Sequence, residues 1–226
     1  MKHTILYFIA GLFLLTGCVK EELSLTESNQ VGYLTVEDLT LQQAEQISVG
    51  SRAVDADLYV EITDTKATTT YNPGAVPAKI ELTTGTCTVK AYNAAYKDNT
   101  TNAAKYYAET TVEIKEGKVE YLSLEVPMVN YGVTLSLPDN FSDWFSDYTF
   151  SIGKSAATET FSLKEDEVIY FDYQKGDVLS YSLKVTSKEE AFTQTGSYGS
   201  DEGKTIESGK IYQIIYNWET KALEMN

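Results

Sequence analysis

Short segments in which apolar residues recur at every second position dominate this chain, and that period constrains its fold more than any other feature. A period of two puts alternate side chains on opposite faces of an extended strand, whereas a helix needs a period near 3.6. Leu58, Val60 and Ile62 share one face, with Tyr59, Glu61 and Thr63 on the other. The same parity recurs at Ile80/Leu82, Val112/Ile114, Val133/Leu135/Leu137, Tyr148/Phe150/Ile152, Leu179/Tyr181/Leu183/Val185 and Ile211/Gln213/Ile215. Turn residues separate the segments, as in Asn72-Pro73-Gly74, Glu116-Gly117-Lys118, Lys175-Gly176-Asp177 and Ser208-Gly209-Lys210. Helix is scarce. Its best stretch is Asp139 to Phe145, where Asp139 follows Pro138 and reads as the N-cap. The pattern predicts an all-β chain.

An internal repeat organises the strands. Thr111-Val-Glu-Ile-Lys-Glu-Gly117-Lys-Val119 matches Thr205-Ile-Glu-Ser-Gly209-Lys-Ile211, two residues shorter before the glycine. Upstream, Asp57-Leu-Tyr-Val-Glu-Ile62 parallels Asp147-Tyr-Thr-Phe-Ser-Ile152, and Gly85 to Ala91 corresponds to Gly176 to Leu183. Two such copies fit two tandem β-sandwich domains at 31–128 and 129–226, each near the size of an immunoglobulin-like domain. The short apolar junction Val126-Pro127-Met128 predicts that they abut.

Composition excludes several function classes. The net charge of -15 repels phosphate backbones and argues against nucleic acid as a partner. Two cysteines are too few for a disulfide framework. Cys87 shares parity with Val89 and Ala91, which predicts a small, buried and inert thiol.

The first residues carry a different signal. Met1-Lys2-His3-Thr4 is a short positive start, and the apolar run Ile5 to Leu15 follows it. As a helix that run would rise only ~16 Å against a bilayer core of ~30 Å, so it reads as a secretion signal rather than an anchor. It ends in Leu15-Thr16-Gly17-Cys18, which resembles the lipobox of bacterial lipoproteins. The resemblance implies a signal peptide over 1–17, lipidation (palmitate among the acyl chains) at Cys18, and a lipidated flexible tether over 18–30. Val19-Lys20-Glu21-Glu22 resembles the export signal of Bacteroidota lipoproteins, which implies the outer face of the outer membrane.

Cleavage before Cys18 would remove His3, the chain's single histidine. Triads built on histidine and His-ligated zinc fall with it. No glycine-rich phosphate loop opens a helix, and with 33 acidic residues a close carboxylate pair carries no information. The expectation is no enzyme, no metal and no cofactor. Asp139, Asp143 and Asp147 recur every four residues, but they lack the glycine turn and alternate spacing of a calcium loop.

Two features point to binding. Tyr92, Tyr96, Tyr106 and Tyr107 bracket a long polar loop, Asn93 to Lys105. Tyr96, Asn99, Tyr106 and Tyr107 are its candidate ligand residues, since rings stack on sugar faces and amides bond hydroxyls. Tyrosine also suits strands for its own sake, so a purely structural role stands beside this one.

Gly32-Tyr-Leu-Thr-Val36, Ala53 to Ile62, Gly85-Thr-Cys-Thr-Val-Lys-Ala91 and Asn130-Tyr-Gly-Val-Thr-Leu-Ser136 resemble a family of Bacteroidota surface lipoproteins of unknown function. That family is similar in turn to the fimbrillins, whose subunits are two tandem transthyretin-like sandwiches. The resemblance implies an outer-membrane, surface-exposed lipoprotein with an adhesive or fimbrillin-like structural role. The alternative is a non-polymerising surface lipoprotein that binds glycans or proteins. Implied partners are the membrane through the lipid, surface glycans, host proteins or fimbrial subunits. Arg52, the only arginine, lies in the small-residue stretch Ser48 to Val54. In fimbrillin-type subunits an arginine-specific protease cuts such a linker, which marks Arg52 as a candidate processing site. The first strand, 31–41, would then be replaceable, with Leu34, Val36, Leu39 and Leu41 as its apolar teeth.

Overall fold

The computed structural model describes residues 30–42, 45–46, 58–155, 160–187, 191–200 and 204–225. Cys18 and Arg52 lie outside them. The first half runs β1 (Val31–Gln42), β2 (Glu45–Gln46), β3 (Leu58–Thr63), β4 (Thr68–Tyr71), β5 (Ile80–Thr83), β6 (Gly85–Asn93), α1 (Ala94–Lys97), β7 (Tyr107–Ile114) and β8 (Val119–Pro127). All but β2 fall into two sheets, ordered β5-β1-β8 and β4-β3-β6-β7. Leu34, Val60, Ile62, Val89 and Ile114 meet between the sheets, so the predicted parity is the packing parity. Cys87 joins them fully buried, and burial followed by the charge of Asp64 pushes its thiol up to about 11, which keeps it inert.

The second half repeats this plan with β9 (Tyr131–Ser136), α2 (Phe141–Trp144), β10 (Phe145–Lys154), β11 (Phe161–Ser162), β12 (Val168–Phe171), β13 (Leu179–Ser187), β14 (Ala191–Tyr198), β15 (Lys210–Asn217) and β16 (Ala222–Met225). Its sheets are ordered β11-β10-β13-β14 and β12-β9-β15-β16. Strand for strand, β5-β1-β8 corresponds to β12-β9-β15, since the first pair is antiparallel and the second parallel in both copies. The glycines of the sequence repeat do the same job. Gly117 and Gly209 both hold positive φ, and their N–H groups donate to Val31 and Asn130 at the starts of β1 and β9. The all-β, double-sandwich architecture read from the sequence is the one observed.

Two local expectations change. On β15 the residues facing the core are Tyr212, Ile214 and Tyr216, not Ile211, Gln213 and Ile215. The strand is buried on both sides over Ile211–Ile214, so its apolarity does not alternate cleanly. The predicted helix shrinks to α2, whose N-cap is Asn140 rather than Asp139, and Asn140 makes no capping bond. Its side chain is otherwise engaged.

The sheets of the first sandwich are also tied by charge. Asp64 Oδ1 accepts the N–H groups of Lys66 and Ala67 at 2.8 Å, and its Oδ2 accepts Thr83 N–H from the opposite sheet at 2.9 Å. Burial alone would raise its carboxyl, but these bonds outweigh that and lower it from 3.8 to about 2. A depressed acid stabilises the fold above its unfolded value and loses that stabilisation as pH falls through the folded value. Asp64→Asn is therefore expected to cost about 1–2 kcal/mol in urea unfolding at neutral pH. The gap between variant and parent should close between pH 3.8 and about 2. A gap that persists unchanged at the acid end would show that the charge is not the source.

Candidate functional site

β1 is the middle strand of its sheet. Val31 to Leu34 pair with β5, and Tyr33 to Gln42 pair in parallel with β8. Leu34 is fully buried, while Val36, Leu39 and Leu41 pack against the core clusters. All four predicted teeth point inward although their parity switches from even to odd. The ladder explains this: its register jumps between Val36 and Asp38, leaving Glu37 as an unpaired bulge. Gly32 fits because it has no side chain. A Cβ there would lie 2.3 Å from the Lys115 carbonyl oxygen and 2.7 Å from Ile114 Cγ2. Beyond Leu34 the edge opposite β8 has no strand partner among the described residues. A groove of about 320 Å³ runs there between Val36–Leu39 and Leu58, Gly74 and Val76.

The strand then leaves its own sandwich. Glu45 and Gln46 of β2 lie parallel to Lys210 and Ile211 of β15. Residues 31–46 thus contribute strands to both sandwiches.

The tyrosine loop is built differently from its expected form. Tyr59, Tyr92 and Tyr107 stand in register across β3, β6 and β7 on the outer face. Tyr59 and Tyr92 stack at 5.8 Å, Tyr96 of α1 stacks on Tyr107 at 4.6 Å, and Lys97 Nζ sits 4.2 Å over the Tyr59 ring. Tyr107 donates its hydroxyl to Glu109, a bond that holds the phenol proton and raises its pKa well above the usual range. The rings largely cover one another, and Tyr96 remains 38% exposed. Tyr106 follows the strand's alternation inward, packs against the core and bridges to Met128. The structure thus brings Tyr96 and Tyr107 together and sends Tyr106 to the opposite face.

Asn99 belongs to the seam between the sandwiches. Its Oδ1 accepts from Lys105 Nζ at 2.6 Å, and the same ammonium, only 6% exposed as a residue, reaches Asp172 of the second sandwich at 2.6 Å. Asn102 Oδ1 accepts Tyr170 N–H, and Asn130 Oδ1 accepts Lys105 N–H while its amide donates to Ala103. The loop's far end therefore holds the two sandwiches together instead of hanging free. Nothing in the spacing of Lys105, Asn130 and Asp172 signals this, nor does Glu45-Gln46 signal a strand.

The profile of the family described as "Domain of unknown function (DUF4493)" matches residues 30–224. The chain belongs to that family. The matched span of the DUF4493 chain runs from the residue before β1 into β16, so the strand that joins both sandwiches is part of the family's unit. No curated protein matches it. Similar solved structures include a candidate cell adhesion protein from Bacteroides eggerthii, 12% identical over 83% of this chain and 85% of that one, with a TM-score of 0.48. A fimbrilin from Porphyromonas gingivalis is 11% identical over 81% and 89%, with a TM-score of 0.45. A candidate polysaccharide binding protein from Bacteroides thetaiotaomicron is 11% identical over 82% and 91%, with a TM-score of 0.36.

Proposed function

We propose that the DUF4493 chain is a lipid-anchored protein of the outer-membrane surface with an adhesive, fimbrillin-like structural role. In this reading residues 1–17 are a signal peptide, Cys18 carries the lipid, 18–30 form a tether, and the sandwiches span 31–128 and 129–226. Arg52 is the processing site, so the anchored form is the uncut chain and the cut form is a free subunit. The observation that carries the reading is the course of residues 31–46. They fill the middle of one sheet, continue beside β15, and all precede Arg52. A single cut at Arg52 leaves all of those pairings without a covalent link to the rest of the fold, so the segment that makes them can leave. What remains is an open slot with an apolar floor, which an extended segment from a second copy fills by backbone pairing and alternate side chains.

Arginine-specific digestion of the folded protein is the test. It is expected to cut once, release the N-terminal piece that ends at Arg52 without denaturant and produce SDS-resistant ladders, while Arg52→Ala stays whole and monomeric. A cut protein that keeps the fragment bound and remains monomeric would defeat the proposal.

A further inference from the structure

The chain has two tryptophans, and both lie at one corner of the second sandwich. Trp144 ends α2 and is 63% exposed. Trp218 follows β15 and meets it at 6.4 Å with the rings inclined by 62°, so the indoles form a wall and a floor. The floor is fixed. Trp218 stacks on Phe145 within 7° of parallel, meets Tyr216 edge-on at 5.0 Å, and donates its indole N–H to Asn140 Oδ1 at 3.0 Å. That last bond is the engagement that takes Asn140 away from capping α2. Phe141, buried to 3% exposure, anchors the turn from below by packing on Phe145, Tyr216 and Trp218. A rigid base therefore presents one largely bare indole.

We propose that this Trp144–Trp218 corner is a stacking site for a neutral glycan. Size is the first argument. An aromatic side chain offers roughly 150–250 Å² in full, so the bare part of Trp144 is about the footprint of one or two sugar rings. It falls far short of the ~800 Å² per partner that a stable protein interface needs. The rim is the second. Asp139 and Asp143 are exposed in the same turn and helix, giving carboxylate groups at the rim of the corner. Hydroxyls of a sugar bring the donors that such acceptors require, while the C–H face of the ring covers the indole. Charge is the third. Carboxylates at the rim and a net charge of -15 repel polyanionic chains and anionic bilayers, which favours an uncharged saccharide over an acidic one.

This site stands apart from the slot left by β1 and β2, and its success or failure does not depend on strand replacement. Because every indole of the chain is at the corner, intrinsic fluorescence of the full chain reads occupancy directly. Titration with maltoheptaose, a galactomannan oligosaccharide and chitotetraose is expected to give a saturable emission change with at least one of them. Trp144→Ala should weaken that binding at least tenfold, and Tyr96→Ala should leave it unchanged. Trp218→Phe, which keeps the floor aromatic, should retain a response coming from Trp144 alone. Neither tryptophan variant should alter digestion at Arg52 or the ladders that follow. No response to any of the three saccharides would overturn the proposal. So would binding that survives Trp144→Ala, or an emission shift produced only by phosphatidylcholine/phosphatidylglycerol vesicles.

Discussion

Gly32→Val is expected to destabilise the protein by about 3 kcal/mol or more, because the added side chain has nowhere to go. The nearest obstacle is a main-chain carbonyl, Lys115 O at 2.3 Å from the new Cβ, and the next is a methyl group of fully packed Ile114. Neither is the end of a flexible side chain that could swing aside. β1 must shift or undock, and Leu34 behind it loses its place in the core. Urea unfolding checks this, with Thr40→Val on the exposed face of the same strand as the control, expected to stay within ~0.5 kcal/mol. A glycine variant as stable as the control would mean that β1 is not held as tightly as its contacts imply. The same substitution should also speed release of the strand after cleavage at Arg52, which ties its cost to the proposed role.

Asn130→Ala is expected to cost about 2–4 kcal/mol and to loosen the seam. The side chain is 2% exposed and serves both signs of hydrogen bond, accepting Lys105 N–H at 2.9 Å and donating to Ala103 O at 2.8 Å. Alanine removes both partners and leaves a buried donor and a carbonyl without them, the expensive way to lose a hydrogen bond. Asn102→Ala, which frees only an exposed contact to Tyr170, should cost less than ~1 kcal/mol. Calorimetry of the two variants decides the matter. The Asn130 variant should show a lowered and broadened transition as the sandwiches begin to melt separately, and an unaltered single transition would contradict it.

How much of this was legible in the sequence depends on what each residue uses to signal its place. The strands of the first core were readable because one face is dry and the other wet, so Leu58, Val60 and Ile62 alternate with polar neighbours. The bulge at Glu37 was readable in principle, since the switch of parity between Val36 and Leu39 admits no straight strand. β15 misled because it is covered on both sides, which erases the contrast that fixes its face. β2 was invisible for another reason. Its pairing with β15 is made by backbone, which every residue carries alike. In the loop, Tyr106 and Tyr107 looked like partners by proximity in sequence, yet consecutive strand residues point apart. The Trp144–Trp218 corner joins positions distant in the chain, and no spacing rule links them.

The matching courses of β1 and β9 carry one more implication. Each runs between an antiparallel and a parallel neighbour, so by pairing alone either could be exchanged for a foreign segment. Their standing along the polypeptide separates them. One break between β2 and β3 sets the former loose, whereas liberating β9 would take two and would sever the halves of the molecule. Chain order, rather than any difference in bonding, thus nominates the expendable member of an otherwise equal pair.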